Sequence, residues 1–320
     1  MKYFLLILLS FLCISMSAQE KTSPTNQSEE LGAVSWYRNY EEVVLLAKKE
    51  NKSVLILFQE VPGCATCRNY GHNVLSHPLM VEAIEHLFVP LAIYNNKGGE
   101  DAKILKQFNE PTWNNPVVRI VDAEGQNLVE RVAGNYSSIG LYEAMEMALQ
   151  KTNQPVPEFM RLFGEEIFAD QKSRTKETYF KMYCFWSGEG HLGQKEGVLS
   201  TEAGFMGGHE VVKVEFDEAK ISEKELANYA EKGNCEPIKK DGTYRTDKDP
   251  QYYLKQTNYR YLPLTDLQKT KINSAIGHKE SPEKYLSPSQ KMWLEQINKS
   301  NKNQVLYTED FCEAWKKIDK

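Results

Sequence analysis

The 320-residue sequence has no basic run interleaved with aromatics, so it lacks the electrostatic and stacking footprint of nucleic-acid binding. Its 39 basic and 44 acidic side chains leave a formal charge of −5, moderately acidic. No internal repeat is present, which excludes a solenoid or array. No low-complexity segment occurs beyond a short polar stretch near the N-terminus. The N-terminal apolar run, Tyr3 to Ile14, is too short for a comfortable membrane span, so no stable membrane insertion is expected. What remains is the composition of an ordinary folded protein, 41% apolar and long enough for two domains.

Residues 1–18 read as a secretory signal peptide. Lys2 supplies the positive start, Tyr3 to Ile14 the apolar stretch, and Ser15 to Ala18 the small residues of a cleavage site. Cys13 lies inside the apolar run, and Ser10-Phe11-Leu12 before it does not suit lipid attachment. The expected location is therefore exported, periplasmic or in the cell envelope. Residues 19–35 are polar and expected as a flexible lead-in.

The first domain is expected over residues 36–150. Tyr40, Val43, Val44 and Ala47 mark one helix face. Val54 to Phe58 is a short continuous apolar run, the pattern of a strand buried on both faces. Cys64-Ala65-Thr66-Cys67 follows. A helix is expected from Pro78 and a strand over Phe88 to Tyr94. A short helix around Ile104 to Phe108 comes next, then strands over Val117 to Val121 and Leu128 to Val132, and a closing helix over 138–150. The cysteine spacing puts both sulfurs in one helical turn, Cys64 exposed with the lower pKa and Cys67 buried behind it. Two other readings of the pair stay open. One is a permanent structural disulfide, which export favours. The other is a zinc site with His72 and His77, although His77-Pro78 reads as a helix start.

This order of elements, with Cys-x-x-Cys after the first buried strand and Asn115-Pro116 before the third, resembles the thioredoxin fold. The resemblance implies an α/β domain with a redox-active Cys64–Cys67 disulfide and no bound cofactor or metal. Two departures matter: no Trp precedes Cys64, and Ala65-Thr66 replaces Gly-Pro.

Residues 151–176, with Pro155 and Pro157, are expected as a linker, and residues 177–320 as an α+β domain. Ser222-x-x-Glu225, Thr265-x-x-Gln268 and Ser287-Pro288-x-Gln290 mark helix starts. After Trp186 the helix is expected to be interrupted by Gly188, Gly190 and Gly193. Several blocks fall in order: Tyr183-Cys184-Phe185-Trp186, Ala203-Gly204-Phe205, Gly207-Gly208, and His209-Glu210 running into Val211 to Asp217. That run resembles the A-type peptide-methionine sulfoxide reductases. Phe205 replaces the family's usual Tyr, and its Pro-Thr-Tyr insertion is absent before Glu210.

The resemblance implies a peptide-methionine (S)-S-oxide reductase repairing oxidised methionines in exported proteins, with the thioredoxin-like half as electron donor. Cys184 would be the nucleophile and Glu210 the proton donor, with Asp247 and Tyr252 from Asp247-Lys248-Asp249-Pro250-Gln251-Tyr252 orienting substrate. Phe185 and Trp186 would hold the methyl group. Cys235 and Cys312 are the candidate resolving thiols. The partners implied are methionine sulfoxide in proteins or peptides and an upstream thiol reductant. Two rivals stand beside it: a thiol–disulfide oxidoreductase whose degenerate second domain only binds substrate, and a non-enzymatic binder of thioethers.

Overall fold

The structure, a computed structural model, describes residues 21–113, 115–300 and 304–318. The secretory-signal reading of residues 1–18 and Cys13 lie outside them. Among the described residues no helix is long and apolar enough to cross a membrane.

The first sheet has the order β2-β1-β3-β4. Its strands are β1 (Ser53–Gln59), β2 (Phe88–Tyr94), β3 (Val117–Val121) and β4 (Val132–Ala133). β1 runs parallel to β2 and antiparallel to β3. Alternation along β1 explains its continuous apolar run. Leu55 and Leu57 join a core with Leu79, Met80, Ile84 and Met145. Val54, Ile56 and Phe58 join the opposite core with Val43, Ala47, Ile104 and Phe108. Helices α1 (Tyr40–Glu50) and α4 (Glu100–Gln107) thus cover one face, and α3 (Pro78–Leu87) and α5 (Ser138–Lys151) the other. α2 (Ala65–Asn73) carries the Cys-x-x-Cys. The strand expected over Leu128 to Val132 shrinks to Val132–Ala133. Only Val117 and Val118 find partners there.

Two segments depart from the sequence expectation. Residues 21–35, expected as a flexible lead-in, are built into the domain. Lys21 bridges to Tyr37, and a 3-10 turn at Glu29–Leu31 leads to buried Leu31, Val34 and Trp36. The expected linker, 151–176, contains helix α6 (Glu158–Gln171), whose Phe159, Met160 and Phe163 complete the first domain's core. Arg161 and Asp170 lie exposed on its other side, so its composition hides an apolar stripe.

The second sheet is antiparallel, in the order β8-β5-β7-β6-β9. Its strands are β5 (Thr175–Lys181), β6 (Val198–Met206), β7 (His209–Asp217), β8 (Glu236–Pro237) and β9 (Arg245–Thr246). Helices α7 (Phe185–Gly193), α8 (Glu223–Glu231), α9 (Tyr252–Lys255), α10 (Asp266–Gly277), α11 (Pro288–Ile297) and α12 (Phe311–Ile318) complete it. Capping boxes at Ser222, Thr265 and Ser287 start α8, α10 and α11. α7 runs unbroken through Gly188 and Gly190. Its glycines serve close packing: a Cβ on Gly193 would lie 3.1 Å from the Thr270 carbonyl oxygen of α10.

The two halves touch directly. Glu82 of α3 accepts hydrogen bonds from the Ser289 amide (2.8 Å) and hydroxyl (2.6 Å) at the start of α11. Phe311 and Trp315 of α12 pack on the first domain's core.

The docking of the Glu29–Leu31 turn is testable at Gly71. A Cβ there would sit 2.0 Å from the Glu29 carbonyl oxygen, so Gly71→Ala is expected to destabilise the protein by about 1–3 kcal/mol in urea denaturation. Gly98, with nothing within 4 Å of its would-be Cβ, should tolerate Ala to within about 0.5 kcal/mol. Equal midpoints for the two variants would contradict the docked turn.

Candidate functional site

Two cysteines stand at the starts of helices. Cys64 occupies the residue before α2, with extended backbone, and Cys67 lies in its first turn. Their sulfurs are 3.5 Å apart as a dithiol, Cys64 exposed and Cys67 buried. Hydrogen bonding from the Cys67 amide, helped by the Cys67 thiol and the Thr66 amide, outweighs slight burial and lowers the Cys64 pKa. Burial, followed by the hydrogen bond to Cys64, pushes the Cys67 thiol up to about 11. The pair is therefore asymmetric, with an accessible attacking sulfur and a protected one behind it.

The loop before Cys64 is held by groups outside the motif. Glu30, from the lead-in, is buried and accepts the Gly63 amide at 2.7 Å. Gln59 donates to the Glu30 carbonyl (2.8 Å), and Arg68 donates to the Gly63 carbonyl (2.7 Å). Asn96 accepts from the Val61 amide (3.2 Å) and donates to the Pro62 carbonyl (3.1 Å). Asn95, at the end of β2, bonds Asn115 beside the cis Asn115-Pro116 peptide. Glu30 belongs to no sequence motif. Leu31, Val34 and Trp36, apolar residues in an otherwise polar stretch, were the available signal that the segment packs.

His77 takes no part in this site. It stacks on Phe163 at 4.6 Å, and burial lowers its pKa to about 4. The zinc reading with His72 and His77 therefore loses its second histidine. The donor groups that cluster are Glu60, Cys64 and Cys67.

Cys184 occupies the matching position before α7, half-buried, after β5 has ended at Lys181. Glu210 shares a face of β7 with Val212, Val214 and Phe216, all of the second domain's core. Its carboxylate accepts the Phe185 amide at 3.0 Å, one residue beyond Cys184. Asp247 accepts the Trp186 indole N–H at 3.4 Å, and Tyr252 stacks on that indole at 4.0 Å and 13°. The structure thus brings Cys184, Glu210, Trp186, Asp247 and Tyr252 to one helix end. Phe185 is placed differently, buried against Phe205 at 5.2 Å. Tyr252 thus covers one face of the Trp186 indole.

Two groups at this site were not legible beforehand. Glu189 is fully buried in α7 and accepts amides from Ala203 (3.0 Å) and Gln251 (3.1 Å). Burial raises its pKa to about 8, against the opposing amides of Gln251, Ala203 and Tyr252. It ties α7 to the Asp247–Tyr252 loop where Gln251 adopts a left-handed conformation, φ 56°, a strain of about 1 kcal/mol or more for a non-glycine residue. Tyr253 also faces Cys184: burial first, then the Cys184 charge, raises its phenol, and a hydrogen bond with Ser187 opposes them.

The two resolving candidates are differently placed. Cys235 is enclosed in the core with Phe180 and Leu226, its thiol pushed up to about 11 by burial. Cys312, on α12, is half-buried and opens onto a cleft of about 420 Å³ shared with Pro78, Val81 and Glu85. Burial raises its thiol too, with Asp310 adding to the effect. Among the described residues, Cys64–Cys67 is the one thiol pair in hydrogen-bonding reach.

The asymmetry of that pair is testable by alkylation of the reduced protein across a pH series. Because the thiolate is the nucleophile, Cys64 should begin to react below the ordinary thiol value of 9.0, and Cys67 only as pH approaches about 11. Equal labelling of both at about pH 8 would contradict it.

The thioredoxin-like family profile matches residues 35–123. A solved structure described as a DsbH oxidoreductase is similar at 16% identity and a TM-score of 0.32, covering 42% of this chain and 95% of that one. No curated protein matches the sequence. The profile does not reach the A-type reductase-like motifs of residues 177–300. Residues 35–123 are a thioredoxin-like domain with mixed α/β structure following it.

Proposed function

We propose that the chain is a two-site thiol oxidoreductase: Cys64 and Cys67 supply two electrons, and Cys184 uses them to reduce methionine (S)-sulfoxide in exported proteins. The observation that carries this reading is the Glu210 carboxylate on the first amide of the helix that Cys184 begins, 3.0 Å from the Phe185 nitrogen. Sulfoxide reduction needs a thiolate and a proton donor on the same side of the substrate. Cys184 and Glu210 are two such groups held to one helix end.

The Cys184 thiolate attacks the sulfoxide sulfur. The sulfur–oxygen bond of the substrate breaks, its oxygen is carried off on Cys184 with one proton, and methionine leaves beside a Cys184 sulfenic acid. Glu210 supplies that proton. Cys64 then attacks the sulfenic sulfur and displaces hydroxide, which leaves as water after taking a proton. Cys67 attacks Cys64, releases the Cys184 thiolate and leaves a Cys64–Cys67 disulfide. An upstream thiol reductant returns two electrons and two protons. Direct transfer from Cys64 agrees with the burial of Cys235, which closes that resolving candidate off from solvent.

A second reading has its own supporting observation. Tyr252 lies flat on Trp186, narrowing the space for a methyl group. On that reading the second domain only holds a substrate while Cys64 and Cys67 exchange its disulfides.

An assay with the two epimers of a methionine sulfoxide peptide and dithiothreitol separates them. The S-epimer alone should be reduced, Cys184→Ser should abolish turnover, and Glu210→Gln should slow it by about 10²–10⁴-fold. Equal turnover of both epimers, or full activity in Cys184→Ser, contradicts the sulfoxide reading.

A further inference from the structure

The Cys64–Cys67 dithiol has a third donor beside it. One carboxylate oxygen of Glu60 and the two sulfurs all lie within 4.8 Å of one another. The sulfurs themselves are 3.5 Å apart. Two thiolates on one tetrahedral zinc, each about 2.3 Å from the ion, stand about 3.8 Å apart. The pair needs to open by only about 0.3 Å to accept it. Glu60 follows the last residue of β1, and the backbone turns through Val61, Pro62 and Gly63 to reach Cys64. That turn is fixed from outside by Glu30, Asn96 and Arg68, so carboxylate and thiols are held together without the ion. Cys67 is buried, Glu60 half-buried and Cys64 exposed, which leaves one side of the cluster open to solvent for a water as fourth ligand. Two soft thiolates with one carboxylate form a donor set suited to zinc rather than to magnesium or calcium.

We propose that Glu60, Cys64 and Cys67 of the reduced protein bind a divalent ion of the zinc class, and that ion and disulfide exclude one another. Binding displaces the two thiol protons and forms two sulfur–metal bonds and one oxygen–metal bond. Oxidation by a disulfide then removes two electrons from the two sulfurs. The Cys64–Cys67 bond forms, the oxidant's sulfur–sulfur bond breaks, its sulfurs take up two protons, and the ion leaves with its charge unchanged. While the ion is bound, the pair gives up its electrons more slowly, because the ion must leave as the disulfide forms. The site is thus a redox-controlled metal holder, independent of which acceptor the pair serves.

The test is an anaerobic titration of the reduced full chain with Co²⁺ and then Zn²⁺. The expected result is a thiolate-to-cobalt charge-transfer band saturating near one ion per chain and displaced by Zn²⁺. The band should be absent once Cys64 and Cys67 are oxidised, and absent in Cys64→Ser. Glu60→Gln should weaken Zn²⁺ binding at least about tenfold, since even outer-shell partners of metal ligands are worth that much. Saturating Zn²⁺ should slow disulfide formation by oxidised dithiothreitol by a similar factor. Circular dichroism checks each variant's fold; where Glu60→Gln fails it, Glu60→Asp, which keeps a shorter carboxylate, takes its place and should also bind more weakly. No charge-transfer band, a band that survives in Cys64→Ser, or unchanged affinity in the Glu60 variant overturns the proposal. None of these readouts uses sulfoxide, so failure here is separate from failure of the reductase reading.

Discussion

The chemistry of this chain depends on sulfur placed where a helix begins. The first amides of a helix have no partner within it, and a thiol at that point is exposed to their partial positive charge. Cys64 and Cys184 both stand there, each at the residue before the first helical one. Each also has a carboxylate on a neighbouring amide, Glu30 on Gly63 and Glu210 on Phe185. The two sites use that arrangement differently. Glu30 is buried on the far side of a fixed loop and serves to hold it. Glu210 takes the first amide of the helix that Cys184 begins, so carboxylate and sulfur are held at the same helix end.

The packing between the halves sets how the two helix ends stand relative to one another. α6 contributes Phe159, Met160 and Phe163 to the first domain's core, and α12 lays Phe311 and Trp315 on the same core. Glu82 meets the first turn of α11 with two hydrogen bonds. The halves are joined through a shared core and not by a loose tether. Any electron transfer between Cys64 and Cys184 in one molecule is then governed by their fixed separation, and transfer between molecules is the competing route.

Much of the fold was legible because local and tertiary demands agreed. The run Val54 to Phe58 is apolar throughout because both faces of β1 are covered, and the capping boxes at Ser222, Thr265 and Ser287 act through residues three apart. Legibility ended where tertiary contacts override local character. Residues 21–30 are polar, yet Leu31, Val34 and Trp36 just beyond them are buried and dock the segment. α7 keeps its helix through three glycines because neighbouring elements press against them. Among the candidate site residues, Cys184, Glu210, Trp186, Asp247 and Tyr252 meet although they span 69 positions of sequence from Cys184 to Tyr252 inclusive. Glu30, Glu189 and Tyr253 carried no motif of their own, and only the fold brings them to the sulfurs.

Transfer of electrons from the Cys64–Cys67 pair to Cys184 passes through a mixed disulfide that can be trapped. Without Cys67 the second exchange cannot occur, so the mixed disulfide accumulates. Reduced Cys67→Ser protein would be given one equivalent of a methionine (S)-sulfoxide peptide, and its disulfides mapped by peptide mass spectrometry without reduction. The account predicts a Cys64–Cys184 link, with the monomer fraction reporting transfer within one chain. Cys64 found free, with Cys184 left as a sulfenic acid or joined to Cys235 or Cys312, would contradict it.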